Sequence, residues 1–163
     1  MWVRLPPSPS ILFVINPEKE EQMSDKEIMQ KYFTMAVIGL ARQKWVRAMG
    51  KNRYGDPTCV WLDENNNRCA IGHMISQDLE PTRGEFGQTI RSALNLELLP
   101  SDLAEMTERE FSSDSCTCFL SGVQGSHDSG KTPKEMVERL KITAQAFGLE
   151  WPLSIEEETE SLS

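Results

Sequence analysis

The chain contains no apolar run approaching the about 20 residues that a bilayer-crossing helix needs. Ile11 to Ile15 is too short for a signal-peptide core and is not followed by a small-residue cleavage site. These absences argue against a membrane span and a secretory leader, so the expected location is the cytoplasm. Cysteine is scarce, with 4 in 163 residues and no Cys-x-x-Cys spacing. That excludes a disulfide framework, and without a secretory signal the thiols are expected to stay reduced. Positive charge is also short, since 17 Lys and Arg stand against 25 Asp and Glu for a formal charge of -8. Phosphate-backbone affinity is supplied mainly by Lys and Arg, so direct nucleic-acid binding is not expected. A basic protein partner is compatible with this charge. The chain has no internal repeat, and its length suits one domain with a core that needs no staples.

The sequence divides into three parts: a Pro-rich leader over 1–22, a helical domain over 23–152 and an acidic tail over 153–163. Under one choice of codons the leader back-translates to a transfer-RNA T-arm pattern at Met1 to Pro9 and to a ribosome-binding site at Lys19 to Gln22. Translation is therefore expected to begin at Met23, beside a transfer-RNA gene, where phages and integrated elements commonly sit. Dropping the leader removes Arg4 and Lys19 with Glu18, Glu20 and Glu21, which shifts the charge from -8 to -7. The tail Glu156-Glu-Glu-Thr-Glu160 is too charged to pack and is expected to be solvated and disordered.

From Met23 the pattern predicts a mainly α fold of the α+β class, with about five helices around a central N-terminal helix and one small β-hairpin. Ser24-Asp-Lys-Glu27 is a capping box, and Ile28, Tyr32, Met35, Leu40, Trp45 and Met49 continue an apolar face as far as Gly50. Gly39 is positioned to kink this helix or admit a neighbour. Thr58 to Leu62 reads as a strand, Asp63 to Arg68 as its turn, and Cys69 to Ile75 as a returning strand or the start of a helix. Phe86, Ile90, Ala93 and Leu94 mark another helix, Leu103 and Met106 a shorter one capped by Ser101. Thr132-Pro-Lys-Glu135 opens a last helix with the buried stripe Met136, Leu140, Ala144 and Phe147.

Four constellations carry chemistry. Cys59, Cys69 and His73, completed by His127 or by the Cys116-Thr-Cys118 pair, offer zinc the Cys and His ligands it favours. The nine-residue gap between Cys59 and Cys69 is long for a zinc knuckle, and core packing of free thiols is the competing reading. Gly125-Ser-His-Asp-Ser-Gly130-Lys131-Thr132 satisfies the phosphate-cradling pattern G-x-x-x-x-G-K-T, with Asp63 at an acidic strand end such sites use. Only one helix and the acidic tail follow it, too little for a nucleotide-hydrolysing sheet, so Thr132 as helix cap is preferred. His127-Asp128 with His73 suggests a two-metal phosphohydrolase, yet no Asp follows Asp128 to complete one. Asp63 to Asn67 could hold calcium, but it lacks the glycine and distal glutamate of an EF-hand loop and reads as an Asn-rich turn.

The arrangement Cys59-Val-Trp61, polar turn, Cys69-Ala-Ile-Gly-His-Met-Ile75 and a later His127-Asp128 resembles a loosely defined group of small phage and bacterial proteins of unassigned activity. The resemblance spans Tyr32 to Trp151 and implies a compact accessory protein of mobile elements. It brings no substrate, cofactor or catalytic residue. The expected function is thus a noncatalytic protein that binds a host protein through an acidic surface, with a structural zinc as its only candidate cofactor. The alternative is a small metal- or nucleotide-dependent enzyme acting on phosphate groups.

Overall fold

A computed structural model describes residues 23–52, 54–75, 98–112 and 118–152. Among these residues the chain forms four α-helices, a two-stranded antiparallel hairpin and one short 3₁₀ turn. In chain order they are α1 (Asp25–Arg42), β1 (Met49–Lys51), β2 (Pro57–Cys59), the 3₁₀ turn (Ile71–His73), α2 (Ser101–Ser112), α3 (Phe119–Ser129) and α4 (Pro133–Ala146). The mainly helical α+β class is as expected, and among the described residues there are four helices against the about five expected. The helix expected around Phe86 to Leu94 lies outside the described residues, as do the leader and the tail.

The start of α1 follows its capping box. The Ser24 hydroxyl accepts from the Glu27 N–H at 3.4 Å, and the Glu27 carboxylate accepts in return from the Ser24 N–H at 2.8 Å. The helix then stops at Arg42 and does not run on to Gly50. Lys44 and Trp45 adopt left-handed φ of 56° and 60°, the Trp45 N–H reaches back to the Leu40 carbonyl, and the Lys44 N–H to Ala41. This is a Schellman cap, and it swings the Trp45 ring into the core, where an apolar pattern alone would suit a longer helix equally well. Phe33, Ala36, Val37 and Leu40 are fully buried, which makes α1 the central element, while Met35 and Met49 from the expected face lie on the surface.

The hairpin sits one segment earlier than its β-branched residues suggest. β1 pairs with β2 through Met49 opposite Cys59 and Lys51 opposite Pro57. The turn at 63–68 is closed by a single bridge between Leu62 and Arg68, and Cys69 to Ile75 continues as the 3₁₀ turn, not as a strand. Within that turn the Asp63 carboxylate accepts from the N–H groups of Asn65 and Asn67 at 2.8 and 2.9 Å and from the Asn67 side chain at 3.0 Å. Asn66 takes the left-handed angle, φ 63°. The carboxylate is thus occupied by its own loop, as the turn reading requires.

α2 packs on α1 and is tied to it by Asp102, which accepts from the Tyr32 hydroxyl at 2.6 Å and pairs with Lys31 at 3.0 Å. α3 and α4 form a tight helical corner. Glu110 of α2 accepts from the first N–H of α3, at Phe119, and the Phe119 and Phe147 rings meet edge to face at 5.7 Å. The Thr132 hydroxyl caps α4 by accepting from the Glu135 N–H at 3.2 Å. Met136, Leu140 and Ala144 are buried as their spacing predicts. After α4 the chain returns to α1, where the Gln30 amide exchanges two hydrogen bonds with the Glu150 backbone at 3.0 and 2.7 Å, and Trp151 packs edge-on against Phe33.

Candidate metal centre

Three parts of the fold converge at one point. Cys59 closes β2, His127 and Asp128 lie in the last turn of α3, and the 3₁₀ turn brings Cys69 alongside. One ligand atom each from Cys59, His127 and Asp128 lie within 4.8 Å of one another. The imidazole of His127 is fully buried, whereas the Asp128 side chain is 43% exposed, so the group has a sealed inner side and an open outer one. His127 Nδ1 lies 2.9 Å from Asp128 Oδ1. With Nδ1–H donating to the carboxylate, Nε2 carries the free lone pair, and it is buried without a well-formed hydrogen bond.

Gln124, one helical turn before Asp128, organises the outer side. Its Nε2 donates to Asp128 Oδ1 at 2.8 Å and toward Cys59 Sγ at 3.6 Å, while its Oε1 accepts from the Ile71 N–H at 3.3 Å. One amide therefore links α3, β2 and the 3₁₀ turn. Cys69 Sγ accepts from the Gly72 N–H at 3.3 Å.

The ionisation of the group follows from these partners. The Cys59 thiol is pushed up, first by its hydrogen bond with Cys69 and then by burial, so it is neutral and not a primed thiolate nucleophile. Burial works against a charged His127, but hydrogen bonds with Asp128 and Cys59 outweigh it and raise the ring above its ordinary range. Asp128 is likewise resisted by burial, yet the hydrogen bonds from His127 and Gln124 hold it below the usual carboxylate range. A neutral thiol beside an imidazole and a carboxylate is a poor acid–base catalyst as it stands. It is a reasonable ligand set for a cation, which deprotonates a coordinating thiol outright.

Of the four residues expected to hold metal, the structure brings Cys59 and His127 together, joined by Asp128, and sends His73 elsewhere. The His73 N–H hydrogen-bonds to the Cys69 carbonyl at 3.2 Å, so the two residues are indeed one turn apart. Their side chains nonetheless diverge. The His73 ring lies flat on α1 over Gly39, where a Cβ would stand 2.2 Å from Nδ1, and its Nε2 meets Gln43 Oε1 at 3.0 Å. Gly39 is therefore the place where α1 admits a neighbour. Burial, with the nearby Arg68 charge and His127, pushes His73 down to about 4. Cys118 is buried at the start of α3 and bonds Ser121 within that helix, and Cys116 lies outside the described residues.

The residues of the phosphate-loop alternative are employed in other ways. Gly125 lies inside α3, so the first five residues of the motif are helical and present no looping N–H groups. Gly130 is required by packing, because a Cβ there would stand 2.6 Å from the Met136 backbone. The Lys131 N–H is bound by the Glu135 carboxylate at 2.8 Å, and Thr132 is committed to the cap. No parallel strand flanks the segment among the described residues.

Gln124 was left out by sequence reasoning, and Asp128 was placed with His127 only in the two-metal reading and not among the zinc ligands. Their signal was helical spacing: once 119–129 is a helix, Gln124, His127 and Asp128 share one side of it. No helix among the described residues is long and apolar enough to cross a membrane. Comparison with known proteins finds no matching family model, no matching curated protein and no matching solved structure.

Proposed function

We propose that this chain is a small noncatalytic accessory protein of a phage or other mobile element, acting by binding a host protein. The observation that supports this reading best is how the residues of the enzymatic alternative are employed. Thr132 caps a helix, Gly125 lies within one, Gly130 makes room for a backbone and Asp63 folds its own turn. Each is used as architecture.

The charge distribution refines where a basic partner would be met. Among the described residues thirteen Asp and Glu are balanced by twelve Lys and Arg, so these helices carry little of the net charge of -8. The excess resides in the remaining sequence, and four of its carboxylates are Glu156, Glu157, Glu158 and Glu160. Electrostatic engagement of a basic host surface would depend on that tail more than on the helices.

The test is capture of a stoichiometric host partner by the tagged full chain, compared at low and high salt and with the chain shortened after Pro152. Binding that weakens with salt and with loss of the tail is the expected result. Absence of any stoichiometric partner, or binding indifferent to salt, would count against it. The enzymatic alternative predicts nucleotide-dependent thermal stabilisation that disappears in Lys131→Ala.

A further inference from the structure

We infer that Cys59, His127 and Asp128 bind one divalent transition-metal ion of the zinc class. The inference is independent of the partner-binding reading.

The donor set suits such an ion. Thiolate, imidazole and carboxylate are the protein ligands of zinc, at bond lengths of about 2.0 to 2.3 Å. Around a tetrahedral ion, ligand atoms then stand about 3.3 to 3.8 Å apart. The three atoms here already lie within 4.8 Å of one another. Closing the remaining gap takes about 1 Å, within the reach of small side-chain rotations at Cys59 and the half-exposed Asp128.

The surroundings are those of a supported metal centre. Ligands are commonly held by outer hydrogen bonds, and the Gln124 amide here reaches both Asp128 Oδ1 and Cys59 Sγ from a fixed position. His127 and Asp128 sit in the last turn of α3, whose carbonyl end favours a cation. The exposed edge at Asp128 supplies a route for the ion, which enters as the Cys59 thiol proton leaves.

The experiment uses the full chain, stripped of metal by chelator under reducing conditions and titrated with cobalt(II) alone, then with zinc(II). The expected result is one equivalent of cobalt with tetrahedral visible bands and sulfur-to-cobalt charge transfer, both displaced by zinc. Cys59→Ser should remove the charge-transfer bands, and Asp128→Asn should weaken binding by more than about tenfold. His73→Gln should leave all of these unchanged. A His127 variant is avoided because that ring is fully buried. The idea is overturned by a folded wild type that takes up no cobalt, by a Cys59→Ser protein with an unaltered spectrum, or by an equal loss in His73→Gln.

Discussion

The fold treats the two histidines in opposite ways. His73 rests on the backbone of α1 and meets the neutral Gln43 amide, whose remaining bonds go to the backbone of Val46 and Arg68 at 2.6 and 2.7 Å. His127 is more deeply buried but adjoins a carboxylate. Burial alone would discharge both rings; an ionised partner reverses the outcome for one of them. Which histidine can serve a cation is thus set by the group beside it, and not by its distance in sequence from a cysteine.

Removing the rings should separate them most sharply. His127→Ala leaves a cavity and strips Asp128 of its partner, for an expected loss of about 3 to 5 kcal/mol in urea unfolding, whereas His73→Ala should cost about 1 to 2 kcal/mol. Similar losses for both would break the comparison. Gly39→Ala tests the His73 dock from the other side. Alanine is the better helix former, yet the added methyl meets the ring, so a loss of about 2 to 4 kcal/mol is expected in place of a gain.

The pH dependence should carry opposite signs. His73 is held below its ordinary value, so between pH 6.5 and about 4 the unfolded chain binds more protons at this site, and stability falls as pH falls. The limit is about 3 kcal/mol across that window, and His73→Gln should flatten it in denaturation midpoints measured from pH 7 down to 4. His127 is raised, so its contribution is present below pH 6.5 and is lost as pH rises through its folded value. Gln43→Glu should narrow the contrast by placing a carboxylate beside His73, and its imidazole NMR resonances should then titrate at higher pH. An unmoved titration would show that burial outweighs the partner. Smallest of all, Lys131→Ala should change stability by less than about 0.5 kcal/mol, since its side chain is exposed.

Much of the helical frame was legible. The Ser24 box, the Thr132 cap and the stripe from Met136 to Ala144 are local signals, and local chemistry realises them. α3 was hidden because Phe119-Leu-Ser-Gly-Val-Gln-Gly-Ser-His-Asp-Ser carries two glycines and three serines, a poor helix by propensity. Packing decides it: Phe119 seats on Phe147, and Ser126 bonds Thr143 at 2.6 Å across the corner. The end of α1 was misjudged because Trp45 is apolar and in helical phase, and periodicity does not record a reversal of the chain. The metal set was partly visible: Cys59 and His127 could be named, but choosing Asp128 over His73 required knowing which way each side chain faces in the fold.

The bare spot at position 39 and the ring at position 73 behave as one choice written in two places. A chain that fills the first must shrink the second, so Gly39→Ala combined with His73→Gly should recover stability that Gly39→Ala loses alone. Sequences that drift while keeping this fold should change the two together.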